Sequence, residues 1–371
     1  MLVGAVAAAV GFQVPNSANR AGYESELLRE AVSFGNGDVR VRPRETSIFG
    51  DADALASRLS RYPGVRTALP VLLLPGAIRG KGALNGAPVL GVNTTSPFHP
   101  FRLIAGELLS SGDSQGVLVG RSLAERLPVS VGDRVVLHVL LPPTPKMLHE
   151  DNARRYTLVV RGLVGGTFGA QESVFMDREF FAQDLGMPRA ASMIFVYLDN
   201  HDRARSLAQL IAAEMPQVQA RAWIDDSAYL SSSMQASRAL GDISEAMVVA
   251  AVVIPVLALL FVHVLNRRRD IGILAALGFG PAEIFFVFLT QALWVGLLGS
   301  VLGCGIGWVL IRYFQAHPIF EWEGFVIRPL LVWGSFVRPV LVVLSATVLA
   351  GTYPALRAAR LDPAPVFRGL V

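Results

Sequence analysis

Few residues in the sequence have types and spacings that could support catalysis. The six histidines are scattered, and none stands in an HExxH arrangement or another spacing typical of metal ligands. The glycine-rich run at 76–82 is one residue short of a phosphate-binding loop, and Gly82 stands where Ser or Thr would hold magnesium. Cys304 is the single cysteine, so an intrachain disulfide framework is excluded. The sequence therefore predicts a non-catalytic chain with no metal site and no cofactor of its own.

Two adjacent carboxylates, Asp225 and Asp226, could form an acid–base pair, although an exposed turn or a helix cap explains them more simply. No Gly-x-Ser-x-Gly stands between a strand and a helix, so hydrolase chemistry is not expected. The net charge is only +4, with basic residues dominated by arginine. That balance does not predict a nucleic-acid partner.

The composition points instead to a membrane. Apolar residues make up 52% and charged residues 17%, against about 25% charged in soluble domains. Three long runs, 246–266, 284–311 and 339–356, carry no charge. A helix that crosses about 30 Å of hydrocarbon needs roughly 20 apolar residues, so we expect spans at 245–266, 284–313 and 333–356. The last requires Arg338 to reach the interface.

The N-terminal run at 1–15 holds fewer apolar residues than a full span needs, and it lacks the basic start of a signal peptide. We expect it to be the outer part of a first transmembrane helix, either short or lacking its inner end; a surface-bound or cleaved segment is the alternative. The predicted fold class is an α-helical membrane protein with four transmembrane helices, the first partial, and a large α+β domain at 16–244.

Short alternating runs within 16–244 predict strands, and two longer runs have helical spacing. The strand-like runs are 38–42, 117–119, 134–140, 156–164 and 193–198, and the helix-like runs are 51–61 and 202–214. Turn signals such as Pro63-Gly64 and Pro75-Gly76 separate them. This mixture is typical of an α+β domain.

Basic residues set the expected orientation. Arg267, Arg268 and Arg269 directly follow the second span, and further arginines follow the last, whereas the 314–332 loop has balanced charge. By the positive-inside rule, the 267–283 loop and the 357–371 tail face the cytoplasm. The 16–244 domain and the 314–332 loop then lie on the outer side.

The 267–283 loop has a pattern of its own. Its start is basic, Ile271, Leu274 and Leu277 then recur at spacing three, and Gly278 and Pro281 end the run. This spacing predicts a short amphipathic helix whose apolar face inserts into a groove on a partner. A basic tether to anionic lipid is the alternative.

The run RRRDIGILAALGFGPAEI at 267–284 closely resembles the corresponding loop of permeases in the FtsX-like superfamily, which includes MacB and the LolC and LolE subunits. The segment 353–364 is similar to the closing motif of that family, and short motifs at 91–93, 106–109, 116–120, 123–124 and 131–135 resemble landmarks of the MacB-type periplasmic core. The resemblance extends over nearly the whole chain. Asp270 departs from it, since the family usually has Glu there.

The resemblance implies an ABC transporter permease in the bacterial inner membrane, with a MacB-like core domain in the periplasm. A second copy or a paralogue would pair with it, and a separate ATPase dimer would bind ATP and magnesium. The residues implied to contact that ATPase are Arg268, Arg269, Asp270, Ile271, Gly272, Ile273, Leu274, Ala275, Leu277 and Gly278.

The third span carries glycines at GxxxG spacing, which permit close helix approach, although glycine is common in membrane helices generally. The proposed packing glycines are Gly296, Gly299, Gly303 and Gly307. The three uncharged runs contain no acidic residue, which argues against an ion-coupled transporter and suits a lipid-like cargo.

Within the superfamily, a domain of about 230 residues and no fused ATPase most resemble LolC and LolE, which implies release of lipoproteins to a periplasmic carrier. The residues expected near lateral substrate access are Phe12, Val14, Ala246, Met247 and Ala250. The implied carrier-binding loop comprises Pro142, Pro143, Pro145, Met147 and Leu148, with an ordinary hairpin loop as the alternative. Two other functions stay open: a MacB-like exporter of peptides, toxins or drugs with an adaptor and an outer-membrane channel, and an FtsX-like scaffold that activates a cell-wall hydrolase.

Overall fold

The protein is described by a computed structural model that covers residues 1–140, 153–166, 169–226, 228–322 and 325–359. The α-helices of this part are α1 (Leu2–Ala31), α2 (Ala52–Leu59), α3 (Arg121–Arg126), α4 (Arg178–Asp184), α5 (Ala204–Glu214), α6 (Trp223–Asp226), α7 (Ala228–Asn266), α8 (Arg268–Ala276), α9 (Pro281–Ala316) and α10 (Trp333–Ala359). The strands are β1 (Val39–Pro43), β2 (Val65–Gly80), β3 (Ala83–Val92), β4 (Arg102–Gly106), β5 (Gly116–Gly120), β6 (Arg134–Leu140), β7 (Ala153–Gly165), β8 (Val174–Asp177), β9 (Met193–Leu198), β10 (Val218–Ala222), β11 (Phe320–Trp322) and β12 (Phe325–Ile327).

The chain divides into two compact units. Residues 26–232 form the sheet unit. Residues 1–25, 233–322 and 326–359 form the helical unit. The ten-stranded sheet thus lies in one unit and the long apolar helices lie in the other, as the composition of the two parts of the sequence predicts.

The sheet unit is built on ten strands, of which β2, β3, β8, β5, β7 and β6 pair in that order and then close on β2. Closing a ring of strands removes free edges, and the inward side chains fill its interior. The buried core of this ring includes Leu72, Ile78, Val119, Leu137 and Val160. The first half of β2 pairs instead with β9, which joins β1 and β10 to the ring.

Most of the predicted elements of the sheet unit are confirmed. The runs at 134–140 and 193–198 coincide with β6 and β9, and those at 117–119 and 156–164 lie inside β5 and β7. Helix α2 begins where Asp51 accepts a hydrogen bond from the Ala54 amide at 3.1 Å, which is the N-cap geometry expected for aspartate before a helix. Period-two alternation and capping residues were sufficient signals for these elements.

The adjacent carboxylates do not form a pair. Asp226 is buried, where it accepts hydrogen bonds from Arg40 and, at 3.2 Å, from Asn36. Burial raises the pKa of the Asp226 carboxyl, and Arg40 opposes that rise. Asp225 is exposed and bonds Arg205 at 2.6 and 2.9 Å, which lowers its pKa. Each carboxylate has its own arginine, so both are structural.

Removing the two arginines should have very different effects on stability. Arg40→Ala leaves the Asp226 carboxylate buried without its cation, and we expect a loss of about 3–5 kcal/mol in the free energy of unfolding. Arg205→Ala is the matched control, because its exposed pair with Asp225 is worth at most about 1 kcal/mol. Denaturant unfolding of the full chain in detergent measures both. Equal losses would contradict the assignment of Asp226 as the buried partner.

Three helices in the described chain are long and apolar enough to span a membrane: Leu230–Asn266, Pro281–Ala316 and Trp333–Ala359. The predicted first span at 1–15 is not among them, so the count of four transmembrane helices is not confirmed. Gln13, Asn16 and Asn19 interrupt its apolar stretch. The predicted α-helical membrane class with a large α+β domain is otherwise present.

Two helices extend well beyond the predicted boundaries. Helix α1 continues to Ala31 where the prediction ended at residue 15, and Glu26 and Arg29 form an ion pair on its last turns. Helix α7 begins at Ala228 where the prediction began the span at residue 245. Hydropathy detects only the apolar part of such helices, whereas helix propensity carries them into polar sequence.

In the helical unit, α1 packs tightly on the glycines of α9. A Cβ added to Gly299 would lie 2.5 Å from the Cβ of Val6, and one added to Gly303 would lie 2.6 Å from that of Val10. The next repeat places Val14 on Gly307, at 2.9 Å. Valines at spacing four on α1 therefore fill the groove left by glycines at spacing four on α9, as ridges-into-grooves packing requires.

Gly303→Val should destabilise the helical unit by about 1–3 kcal/mol, because the added side chain overlaps Val10 and the α1 backbone. Gly305→Val is the matched control, since the same helix places nothing within 4 Å of a Cβ there. Thermal unfolding of the two variants in the same detergent measures the difference. Identical transitions would contradict the close α1–α9 contact.

Candidate functional site

The connection between α7 and α9 is a short, well-defined helix and turn. Helix α8 ends in a turn where the Phe279 amide donates to the Leu274 carbonyl at 3.1 Å and Gly278 has φ +96°. This is the geometry of a glycine helix stop. Helix α9 then begins at Pro281, where the Gly280 amide donates to a carboxylate oxygen of Glu283 at 2.9 Å. Capping on both sides fixes the course of the α8–α9 turn.

Burial separates the apolar residues of this segment into two groups. Ile271 is 2% exposed and packs in a cluster with Val264, Ile284, Phe288, Ala355 and Ala358. Leu277 is 72% exposed, and Ile273 and Phe279 are also exposed. The prediction that Ile271, Leu274 and Leu277 share one outward face was therefore wrong. Helix α8 ends at Ala276, so Leu277 leaves the helical spacing and Ile271 faces inward.

Charge surrounds the exposed apolar residues of the α8–α9 turn. Arg267 pairs with Asp270 at 3.4 Å, and both side chains are more than half exposed. Arg269 is exposed, while the Nε of Arg268 is buried with no hydrogen-bond partner. Gly272 is buried, Gly278 is exposed and Leu274 is half-buried. The outward surface is formed by Ile273, Leu277 and Phe279 beside Arg267 and Arg269, which suits an apolar groove with an acidic rim.

The residues predicted near substrate access fall into two groups. Phe12, Ala246, Met247 and Ala250 are exposed on the helical unit. Val14 is fully buried against Gly307, so its assignment to a substrate-facing surface was wrong. The side of α1 that carries Val14 faces α9.

The predicted carrier loop, Pro142, Pro143, Pro145, Met147 and Leu148, lies outside the described residues. Its role stays a prediction.

Two other predicted residues lie in the helices. Ala275 lies within α8. Gly296, the remaining predicted packing glycine, faces α10, where an added Cβ would lie 2.6 Å from Leu344 Cδ1.

A charged cluster without a local signal in the sequence lies at the opposite end of the helical unit. Arg338 bonds Glu245 at 2.9 Å and Asp242 at 3.5 Å, where the apolar runs of α7 and α10 begin. These residues flank the uncharged runs and lie about ninety positions apart, so no local sequence pattern joins them. The cluster borders a cavity of about 320 Å³. In the part of the chain that the structure describes, no group of three or more His, Cys, Asp or Glu residues could hold a metal ion.

Comparison with known proteins shows what the chain is similar to. Residues 244–363 match the family described as FtsX-like permease C-terminal. The chain is 23% identical to the lipoprotein-releasing system transmembrane protein LolE of Haemophilus influenzae, over 93% of this chain and 88% of that protein. It is 25% identical to LolC of Xylella fastidiosa, over 68% of this chain and 64% of that protein.

A third relative is named as a macrolide exporter. The chain is 24% identical to the macrolide export ATP-binding/permease protein MacB of Pasteurella multocida, over 92% of this chain and 53% of that protein. The chain thus spans about half the length of this relative.

Three apolar helices and a large α+β unit accompany these matches, and all of them are features of membrane permeases of ABC transporters. More particularly, residues 244–363 resemble the C-terminal domain of FtsX-like permeases, and the chain as a whole is similar to LolE, LolC and MacB.

The two groups of apolar residues in the α8–α9 segment should respond oppositely to truncation. Ile271→Ala leaves a cavity in a buried cluster and should cost about 2–5 kcal/mol of stability. Leu277→Ala removes an exposed side chain and should change stability by less than about 0.5 kcal/mol. Thermal unfolding in detergent measures both. A larger loss for Leu277→Ala would overturn the inward placement of Ile271.

Proposed function

We propose that this permease couples ATP hydrolysis by a separate ATPase dimer to the extraction of lipoproteins from the bacterial inner membrane. The sheet unit lies in the periplasm and passes the cargo to a soluble carrier, and two permease copies or paralogues act together. The observation that carries the proposal is the similarity to LolE, which runs nearly end to end in both chains.

The α8–α9 turn is the proposed contact for the ATPase. Ile273, Leu277 and Phe279 expose apolar area that a groove on the partner would bury, at about 1.5–3 kcal/mol for each fully buried side chain. Ile271 anchors α8 to the ends of α7, α9 and α10 through its buried cluster. Movement of α8 is therefore passed to these helices, because a packed cluster transmits displacement.

The proposed cargo face is apolar. Phe12, Met247 and Ala250 are exposed, and they offer contacts for acyl chains but no group that could bind an ion. Each CH₂ moved out of the bilayer costs about 0.8 kcal/mol, so a triacylated anchor does not leave spontaneously. An ATP-driven step is needed for that work, and ATP and magnesium belong to the partner.

A second candidate function has its own support. Similarity to MacB over 92% of this chain favours an exporter of peptides, toxins or drugs that works with an adaptor and an outer-membrane channel. The two functions differ in what remains bound to the purified protein.

The proposal predicts what accompanies the chain through purification in mild detergent. Mass spectrometry should find an ABC ATPase and triacylated lipoproteins. Leu277→Asp should reduce the recovered ATPase at least about tenfold, because the charge cannot enter an apolar groove without a partner. Leu84→Asp is the matched control: an exposed leucine of the sheet unit replaced in the same way should leave recovery unchanged.

Other sets of co-purifying proteins would indicate other functions. An ATPase with an adaptor and no lipoprotein would favour the exporter, and a cell-wall hydrolase would favour a scaffold. Undiminished ATPase recovery with Leu277→Asp would refute the role of the α8–α9 turn.

A further inference from the structure

A cavity of about 320 Å³ whose lining includes several polar and charged side chains lies at the end of the helical unit opposite the α8–α9 turn. Its lining comes from α1, α7, the α9–α10 connection and the start of α10, all within the helical unit. It lies where the polar ends of α7 and α10 meet their apolar runs, which is the level of lipid head groups for a membrane-spanning helix.

The cavity wall contains hydrogen-bond acceptors that lack partners. Gln13 is 5% exposed, and its Oε1 has no hydrogen-bond partner; the Oδ1 of Asn19 is also buried without one. Asn16 on the same wall is satisfied, since it donates to Ser244 at 3.0 Å. An orphaned buried acceptor costs about 1–3 kcal/mol, so a donor that enters the cavity would be stabilised there.

The cations of the cavity are not equivalent. Arg338 is already paired with Glu245 and Asp242. Arg20 lines the same cavity over Gly241, and within the described residues no carboxylate pairs with it. The site therefore combines a cation available to an anion, two unpaired acceptors available to a donor, and a carboxylate at Glu245.

A second, apolar groove lies between α7 and α10, two of the helices that line the cavity. It has a volume of about 680 Å³ and is lined only by residues of α7 and α10. On α7, the cavity residues Ser237, Gly241 and Glu245 are followed at spacing four by the groove residues Val249, Val253 and Leu257. On α10, Arg338 of the cavity is followed at the same spacing by Val342, Ala346 and Ala350 of the groove. Residues at spacing four are neighbours on a helix surface, so the groove begins about one turn beyond the cavity on both helices. We call the cavity and the groove together the channel.

The length of the channel fits one leaflet. From Glu245 to Leu257, a helix rises about 18 Å at 1.5 Å per residue. Half of a hydrocarbon core of about 30 Å is about 15 Å. A lipid acyl chain that starts at the cavity would end near the end of the groove.

We propose that this channel is a binding site for a zwitterionic phospholipid with a primary ammonium in its head group. The phosphate pairs with Arg20, the ammonium donates to Gln13, Asn19 and Glu245, and an acyl chain lies in the α7–α10 groove. The site depends on the helical unit alone, and not on which cargo the permease moves.

Native mass spectrometry of the full chain, released from detergent with defined lipids, tests the site. Phosphatidylethanolamine should bind about tenfold more tightly than phosphatidylcholine of the same chains, because the quaternary ammonium of phosphatidylcholine has no N–H to donate. Phosphatidylglycerol, which has hydroxyl donors but no cation, should bind more weakly than phosphatidylethanolamine. Equal binding of the three lipids would overturn the proposal.

Substitutions at Gln13 and Arg20 test the contacts to the ammonium and to the phosphate of the lipid separately. Gln13→Leu should reduce the preference for phosphatidylethanolamine, because it removes one of three acceptors for the ammonium, while Gln13→Glu, which keeps an acceptor, should retain it. Gln13→Leu should also leave the lipid-free protein as stable or more stable, because it removes an orphaned acceptor. Arg20→Gln should weaken phosphatidylethanolamine and phosphatidylcholine alike. A folded Gln13→Leu variant with an unchanged lipid preference would refute the site.

A groove variant tests the acyl chain. Ser345→Trp fills the groove and should weaken long-chain phosphatidylethanolamine without affecting the dihexanoyl form. Val309→Trp on α9, outside the groove, is the control and should change neither. Equal effects of both variants on both lipids would exclude the groove as the acyl-chain site.

Discussion

The helical unit depends on the close approach of α1 to the glycines of α9. Helix α1 is too polar beyond Phe12 to be held in a membrane by hydropathy alone. Val6 and Val10 fill the space above Gly299 and Gly303, where no larger residue than glycine fits. In a lipid environment such contacts must supply the association energy that the hydrophobic effect supplies in water. This contact fixes the rotation of α1 about its axis, and with it every other face of the helix.

The fixed rotation of α1 determines the surroundings of three consecutive residues, Phe12, Gln13 and Val14. With Val14 directed at α9, Phe12 is left exposed and Gln13 lines the cavity. From the sequence, both Phe12 and Val14 were expected near lateral substrate access. Only the packing partner separates them, and that partner lies nearly three hundred residues away.

The strands of the sheet unit were predictable because their signals are local. Alternation over 134–140 and a Val-Gly-Asp turn before it are sufficient to define β6. The closure of six strands into a ring was not predictable, because the parallel pairs β3–β8 and β5–β7 join segments with no local relation. The ion pair between Arg338 and Glu245 was not predictable for the same reason, because the two residues are distant in the sequence. The α8–α9 turn was predictable, because the basic start and the glycine end of the 267–283 loop are local signals.

Packing also determines how the helical unit can move. An added Cβ at Gly351 would lie 2.6 Å from that of Ala292, and Gly296 faces Leu344 equally closely, so α9 and α10 interlock along much of their length. Interfaces packed this tightly do not deform continuously. The seam between α7 and α10 instead contains a groove of about 680 Å³. Helices α7, α9 and α10 all meet the buried cluster around Ile271, so both seams connect to α8 through packed side chains. The lipid site that we propose lies in the less tightly packed of these two seams.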